Sequence, residues 1–256
     1  MKKFLLILFT ASALIIFADN AFAQQQQQTT IPLPKIGIDV GSSDSPKDIS
    51  VTLQLLLLLT VLSLAPSIMI MTTSFLRLII VFQFLKNAMG TQQMPPNQLL
   101  AGMALFITLF IMAPTWNKVN DEALKPYMDG KITMDSAYNK GINPIREFMF
   151  KNVRDEDLEL FVSLSNMPKP NSRNDLPTYV LIPAFVISEL RAGFIIGFFL
   201  FIPFLVVDMV VSSVLMSMGM MMLPPMLVSL PFKVLLFVLV DGWNLIVGSL
   251  VRSFNV

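Results

Sequence analysis

The chain has 256 residues, of which 54% are hydrophobic and only 14% charged, against roughly 25% charged in soluble domains. Its net charge is +1, and it contains no histidine and no cysteine. This composition excludes Cys/His zinc centres, thiol nucleophiles, Ser-His triads and disulfides, and gives no case for nucleic-acid binding. No catalytic residue, metal or cofactor is expected.

The first 23 residues read as a cleavable signal peptide. Lys2 and Lys3 precede a short apolar core from Phe4 to Phe17, and Ala21-Phe22-Ala23 supplies an A-x-A cleavage site. Residues 24–48 open with Gln24 to Gln28 and are rich in Gln, Pro, Ser and Gly, the composition of a flexible tail.

Four hydrophobic segments follow, and spanning a bilayer takes about 20 apolar residues. The first runs from Ile49 to Met71 and contains Pro66, an expected kink. The apolar pattern continues from Phe75 to Leu85 as a connection whose charges, Arg77 and Lys86, are the only ones between Asp48 and Lys118. Their sign places that connection in the cytoplasm. The second segment, Gln98 to Ala113, follows Pro95-Pro96 and completes a first hairpin over residues 49–115.

Residues 116–178 carry nine basic and ten acidic residues and read as a small, mainly helical extracytoplasmic domain. The third segment, Leu181 to Met216, is too long for one straight span and has Pro183 and Pro203 as expected kinks. The fourth runs from Phe232 to Val251, so residues 179–256 form a second hairpin. The expected fold class is an all-α integral membrane protein built of helical hairpins.

The turn of that second hairpin carries six methionines in the twelve residues from Leu215 to Met226. Thioether side chains are unbranched and polarizable, so a cluster of them forms a deformable apolar surface that can line a yielding constriction. Met also fills gaps in hydrophobic cores, but three consecutive copies at Met220, Met221 and Met222 exceed that use.

Ionisable groups inside apolar segments are costly and mark function or assembly. Segment three holds Glu189, Arg191 and Asp208, and segment four holds Lys233 and Asp241. At 100° per residue, Glu189, Gly193, Gly197, Phe204 and Asp208 fall within an arc of about 100°. Gly193 and Gly197 on that face allow another backbone to approach closely. Lys233, Asp241, Asn244, Gly248 and Arg252 form a matching arc on segment four. These charges are expected to make ion pairs within one subunit or between subunits, and Asp208 and Lys233, on either side of the Met-rich turn, are natural partners.

Five stretches together carry a resemblance: the signal segment, Pro66-Ser-Ile-Met-Ile-Met-Thr-Thr-Ser-Phe-Leu-Arg77, Gln92-Gln-Met-Pro-Pro-Asn97, Ile187-Ser-Glu-Leu-Arg-Ala-Gly-Phe194 and Met218-Gly-Met-Met-Met-Leu-Pro-Pro225. From Ile49 to Val256 the chain resembles the FliP family, the P-subunits of flagellar type III protein export, equivalent to injectisome R-subunits. The resemblance implies a homo-oligomer, five copies in the family, joined with Q- and R-type membrane subunits in a helical ring around a pore. It implies unfolded export substrates, contact with the larger export apparatus and the flagellar rod, and a bacterial inner-membrane location. Met220, Met221 and Met222 are then gasket residues sealing the pore, Asp208 and Lys233 an inter-subunit ion pair, and Glu189 part of an interior motif.

Two other readings start from the same residues. A copper(I) transporter would use the thioethers as soft ligands, though without the His or Cys that usually accompany them. An intramembrane aspartyl protease would pair Asp208 with Asp241, although Lys233 competes for Asp208.

Overall fold

The computed structural model describes residues 46–91, 94–165, 167, 170, 172–220 and 222–254. The signal peptide and most of the tail therefore lie outside the described residues, as does Met221. Every regular element among the described residues is helical, and three helices are long and apolar enough to cross a membrane, or four if one bent pair counts as a span. The chain is an all-α membrane protein.

The chain divides into two units, residues 1–55 and 56–256. Of the first, only the start of helix α1 (Pro46–Thr72) is described. α1 runs without a break through Pro66, and its leucines from Leu56 to Leu64 stand exposed, the surface expected of a helix facing lipid or protein.

The second unit is organised around α2 (Phe75–Met89). The sequence suggests an apolar connection carrying two basic residues; in the structure this stretch is a buried helix. The reason is its spacing: Leu78, Val81, Phe82 and Leu85 recur at helical intervals and are all fully buried. Gly90, at φ 73°, ends the helix in the left-handed conformation that glycine adopts without steric cost. α3 (Asn97–Val119) continues through a π-turn (Asn120–Leu124) into α4 (Lys125–Met128), so the helical run extends from Asn97 to Met128 and becomes polar beyond Trp116.

Helices α5 (Met134–Asn152) and α6 (Asp155–Leu164) form the more polar part of the unit. Thr133 caps α5 by accepting the amide of Ser136, and Asp155, Glu156 and Asp157 sit in the first turn of α6, where the helix dipole favours negative charge. Then α7 (Thr178–Ser217) runs 40 residues, with Pro183 and Pro203 inside an unbroken helix. α8 (Pro225–Leu239) and α9 (Gly242–Arg252) follow, bent 63° to one another. The main core joins Leu78, Val81 and Phe82 of α2 to Leu100 and Met112 of α3, Phe148 of α5, and Leu181 and Phe185 of α7.

Candidate functional site

The site begins where α2 crosses α7. A Cβ built on Gly193 would lie 3.1 Å from Ile80 Cγ2, and one on Gly197 only 2.5 Å from Phe84 Cγ. Ile80 and Phe84 are themselves four residues apart, so two side chains of α2 sit over the two glycines of α7. Close approach of this kind lets dispersion contacts hold helices together where lipid removes the hydrophobic drive. Phe84 also meets Phe194 edge-to-face, with centroids 5.4 Å apart.

One turn toward the start of both helices lies a buried ion pair. Arg77 Nε donates to Glu189 Oε2 at 2.8 Å and Nη2 to Oε1 at 2.5 Å, a two-point fork. Arg77 is 5% exposed and Glu189 fully buried. The remaining guanidinium nitrogen donates to the Ser253 carbonyl at 2.8 Å and to Ser253 Oγ at 3.0 Å, while the Phe254 ring lies 3.8 Å from the guanidinium carbon. Adjacent to Glu189, Ser188 donates to Asp157 Oδ2 at 2.7 Å and accepts the Arg154 amide, tying α6 to α7.

At the far end of the crossing, Lys233 of α8 is buried. Its Nζ donates to Asp208 Oδ2 at 2.6 Å and to the Ala88 carbonyl at 3.0 Å. That carbonyl belongs to the last turn of α2, where the helix dipole favours a cation. Ser229, also fully buried, donates to Asp208 Oδ1 at 2.5 Å. Three helices therefore meet at one ammonium and one carboxylate. Pro203 leaves the register of α7 intact, since Glu189, Gly193, Gly197 and Phe204 are all buried and Asp208 points to the same cluster.

Beyond this clamp comes the Met-rich turn. Gly219, at φ 72°, reverses the chain, and the Met220 amide bonds the Leu215 carbonyl at 3.0 Å. Met218, Met220 and Met226 are exposed, and Met222 is 99% exposed. An apolar groove of about 580 Å³ lies between α7 and α8, with Val210, Val214, Met218, Met220, Val228 and Phe232 among its lining.

Other sequence-selected residues stay apart. Arg191 is exposed and makes no ion pair or side-chain hydrogen bond among the described residues. Asp241 does not pair with Asp208, which Lys233 and Ser229 occupy; this removes the aspartyl dyad within one chain. The helical arc drawn through Lys233, Asp241 and Arg252 needs correction, because the helix breaks between them. Asp241 adopts a left-handed φ of 51°, and Gly242 lies against Phe237, whose ring atoms come within 2.3 Å of a built Cβ. Lys233 then belongs to one helix and Arg252, bonded to the Gly248 carbonyl, to another.

Sequence reasoning missed Arg77 as the partner of Glu189, and missed Ser229, Ser188 and Asp157 altogether. Two signals were present. Arg77 is an ionisable residue in an apolar run, and Ser229 precedes Lys233 by four residues, on the same helix face.

Comparison with known proteins bears on this arrangement. The FliP family model matches residues 58–250. The flagellar biosynthetic protein FliP of Bacillus subtilis (strain 168) is 58% identical over 217 residues, covering 85% of this chain and 98% of its own. That of Caulobacter vibrioides is 54% identical over 202 residues, 79% and 76% of the two chains. The Pectobacterium carotovorum protein of the same name is 47% identical over 244 residues, 95% and 91%. The Met-rich turn, the Arg77–Glu189 and Lys233–Asp208 ion pairs and the glycine-lined crossing all fall within the matched residues, and the chain belongs to the FliP family.

Proposed function

We propose that this chain is a membrane subunit of the flagellar protein-export gate, and that several copies, five by family resemblance, build a pore with Q- and R-type subunits. Met220, Met221 and Met222 act as its gasket. Unfolded substrates pass through the ring, and between passages the thioethers close it by contact and dewetting. The more polar part around α5 and α6 faces the periplasm and meets the rod, and the N-terminal 23 residues are removed on export to the inner membrane.

The observation that carries this reading is an exposed methionine turn on a rigidly held hairpin. Among the described residues Met218, Met220, Met222 and Met226 stand exposed, while the two helices that present them are pinned at Asp208, Ser229 and Lys233. A soft surface on a stiff support is the combination a yielding seal requires.

Native mass spectrometry of the detergent-purified chain, co-expressed with candidate Q- and R-type subunits, tests the assembly. A defined multi-copy complex retaining both partners supports it, and a partnerless monomer removes it. Replacing Met220, Met221 and Met222 by Ala in the assembled gate is expected to raise ion leakage across the membrane; unchanged conductance removes the gasket.

A further inference from the structure

The clamp and the Met-rich turn are joined by one hydroxyl. Ser229 Oγ donates its single proton to Asp208 Oδ1 at 2.5 Å and also lies 3.2 Å from the carbonyl of Met226, the last methionine of the turn. Ser229 is fully buried while the Asp208 side chain is 29% exposed, so loss of the hydroxyl breaks a direct bond between this carboxylate and the start of α8. One helical turn further, Lys233 draws the other oxygen of the same carboxylate toward the end of α2 through Ala88. The start of α8 is thus fixed from two sides by a serine and a lysine four residues apart. Without them, Pro224 and Pro225 leave that end with no side-chain cap of its own.

We infer that Ser229 is a positioning residue for the Met-rich turn: its hydroxyl holds Asp208 and the first turn of α8 in register, so that Met220 and Met222 are presented at one fixed place. The inference rests on the gasket reading for its functional meaning, but the position of the turn is measurable without it. Met220 belongs to the same structural unit, since it lines the α7–α8 groove with Val228 and Phe232, the immediate neighbours of Ser229 and Lys233.

The test uses the absence of cysteine from the chain. A single Met222→Cys, at an almost fully exposed position, takes a nitroxide spin label in the full detergent-solubilised chain. Ser229→Ala is expected to raise the mobility of that label severalfold and to leave a label at Met128→Cys on α4 unchanged. Ser213→Ala is the control: it removes a hydroxyl bonded only to the Met209 carbonyl of its own helix, and the label at 222 is expected to ignore it. Unchanged mobility with Ser229→Ala, or equal loosening with Ser213→Ala, overturns the proposal.

If Ser229→Ala fails to fold, the double change Asp208→Leu with Lys233→Met reads the connection from its other end. It removes the acceptor of the Ser229 hydroxyl without stranding a buried charge, so the label loosens if the clamp sets the turn. A label as immobile as in the parent chain overturns the inference. In the assembled gate, Ser229→Ala is expected to leak ions as the methionine-to-alanine variants do. A loosened label with no leak from the methionine variants would instead count against the gasket and leave the positioning role standing.

Discussion

Arg77 gathers the two ends of the second unit: its guanidinium forks onto Glu189, binds Ser253 and stacks on Phe254. Removing one member of a buried pair strands the other without water, at a cost of about 3–5 kcal/mol, whereas replacing both by apolar groups is often neutral. Arg77→Met is therefore expected to lower the thermal midpoint in detergent much more than the double change Arg77→Met with Glu189→Met. Equal losses would show that the pair is not the source. Arg77→Lys should rescue little, because an ammonium supplies neither the two-point fork nor the stacking plane. Glu189, Asp208 and Lys233 were legible in the sequence because a charge in an apolar run demands a partner. The identity of the partner was not, since Glu189 and Arg77 lie 112 residues apart and only the crossing of α2 and α7 brings them together.

That crossing sets the expectations for whole elements. The Cβ of Gly197→Ala would meet Phe84 at its Cγ and Cβ, near the backbone where the side chain has no room to swing. Forced separation of the helices should cost about 1–3 kcal/mol by the usual scale of overpacking. Gly193→Ala, 3.1 Å from Ile80, should cost less, and Gly102→Ala, with nothing within 4 Å, should stabilise α3 by up to about 1 kcal/mol. Thermal unfolding of the three variants checks the order, and any other ranking contradicts the packing described.

A second link, between α3 and α5, is electrostatic. The Lys118 hydrogen bond holds the Glu147 carboxyl below its ordinary value of 4.5, with Lys151 adding to the effect. A lowered carboxylate contributes stability above the ordinary value and loses it as pH falls through the lowered one. Because Glu147 is half exposed, that contribution is small and screened. Glu147→Gln should flatten a slight acid-side loss of stability below pH 4.5, and high salt should do the same in the parent chain; a steep loss retained in Glu147→Gln would place the effect elsewhere. The helices themselves were readable from hydrophobic spacing, as was the buried face of α7 from Glu189 to Asp208. The elbow between α8 and α9 was hidden because an angular arc assumes one continuous helix; the dipeptide Asp241-Gly242 was the turn signal that such an arc overlooks.

At the scale of the molecule, α7 decides how the chain can sit in a bilayer. Forty helical residues at 1.5 Å each extend about 60 Å, twice the roughly 30 Å hydrocarbon core, and a tilt of 40° would accommodate only about 40 Å. Yet apart from Glu189, Arg191 and Asp208 α7 carries no charge, and Phe194, Phe198, Phe199, Met209, Val210 and Val214 are exposed in the single chain. An apolar helix outside hydrocarbon must be covered by protein, so about a third of this surface needs partners instead of lipid. Single cysteines placed along this face in the cysteine-free chain distinguish the two kinds of cover. A water-soluble maleimide should leave lipid-covered positions unmodified in every preparation. Positions beyond the bilayer should react when the chain is expressed alone and become protected only with its Q- and R-type partners. No reaction at any position in either preparation would mean that lipid covers α7 throughout, and positions that react equally with and without partners would mean that no subunit covers them; either result removes the multi-subunit arrangement proposed for the pore.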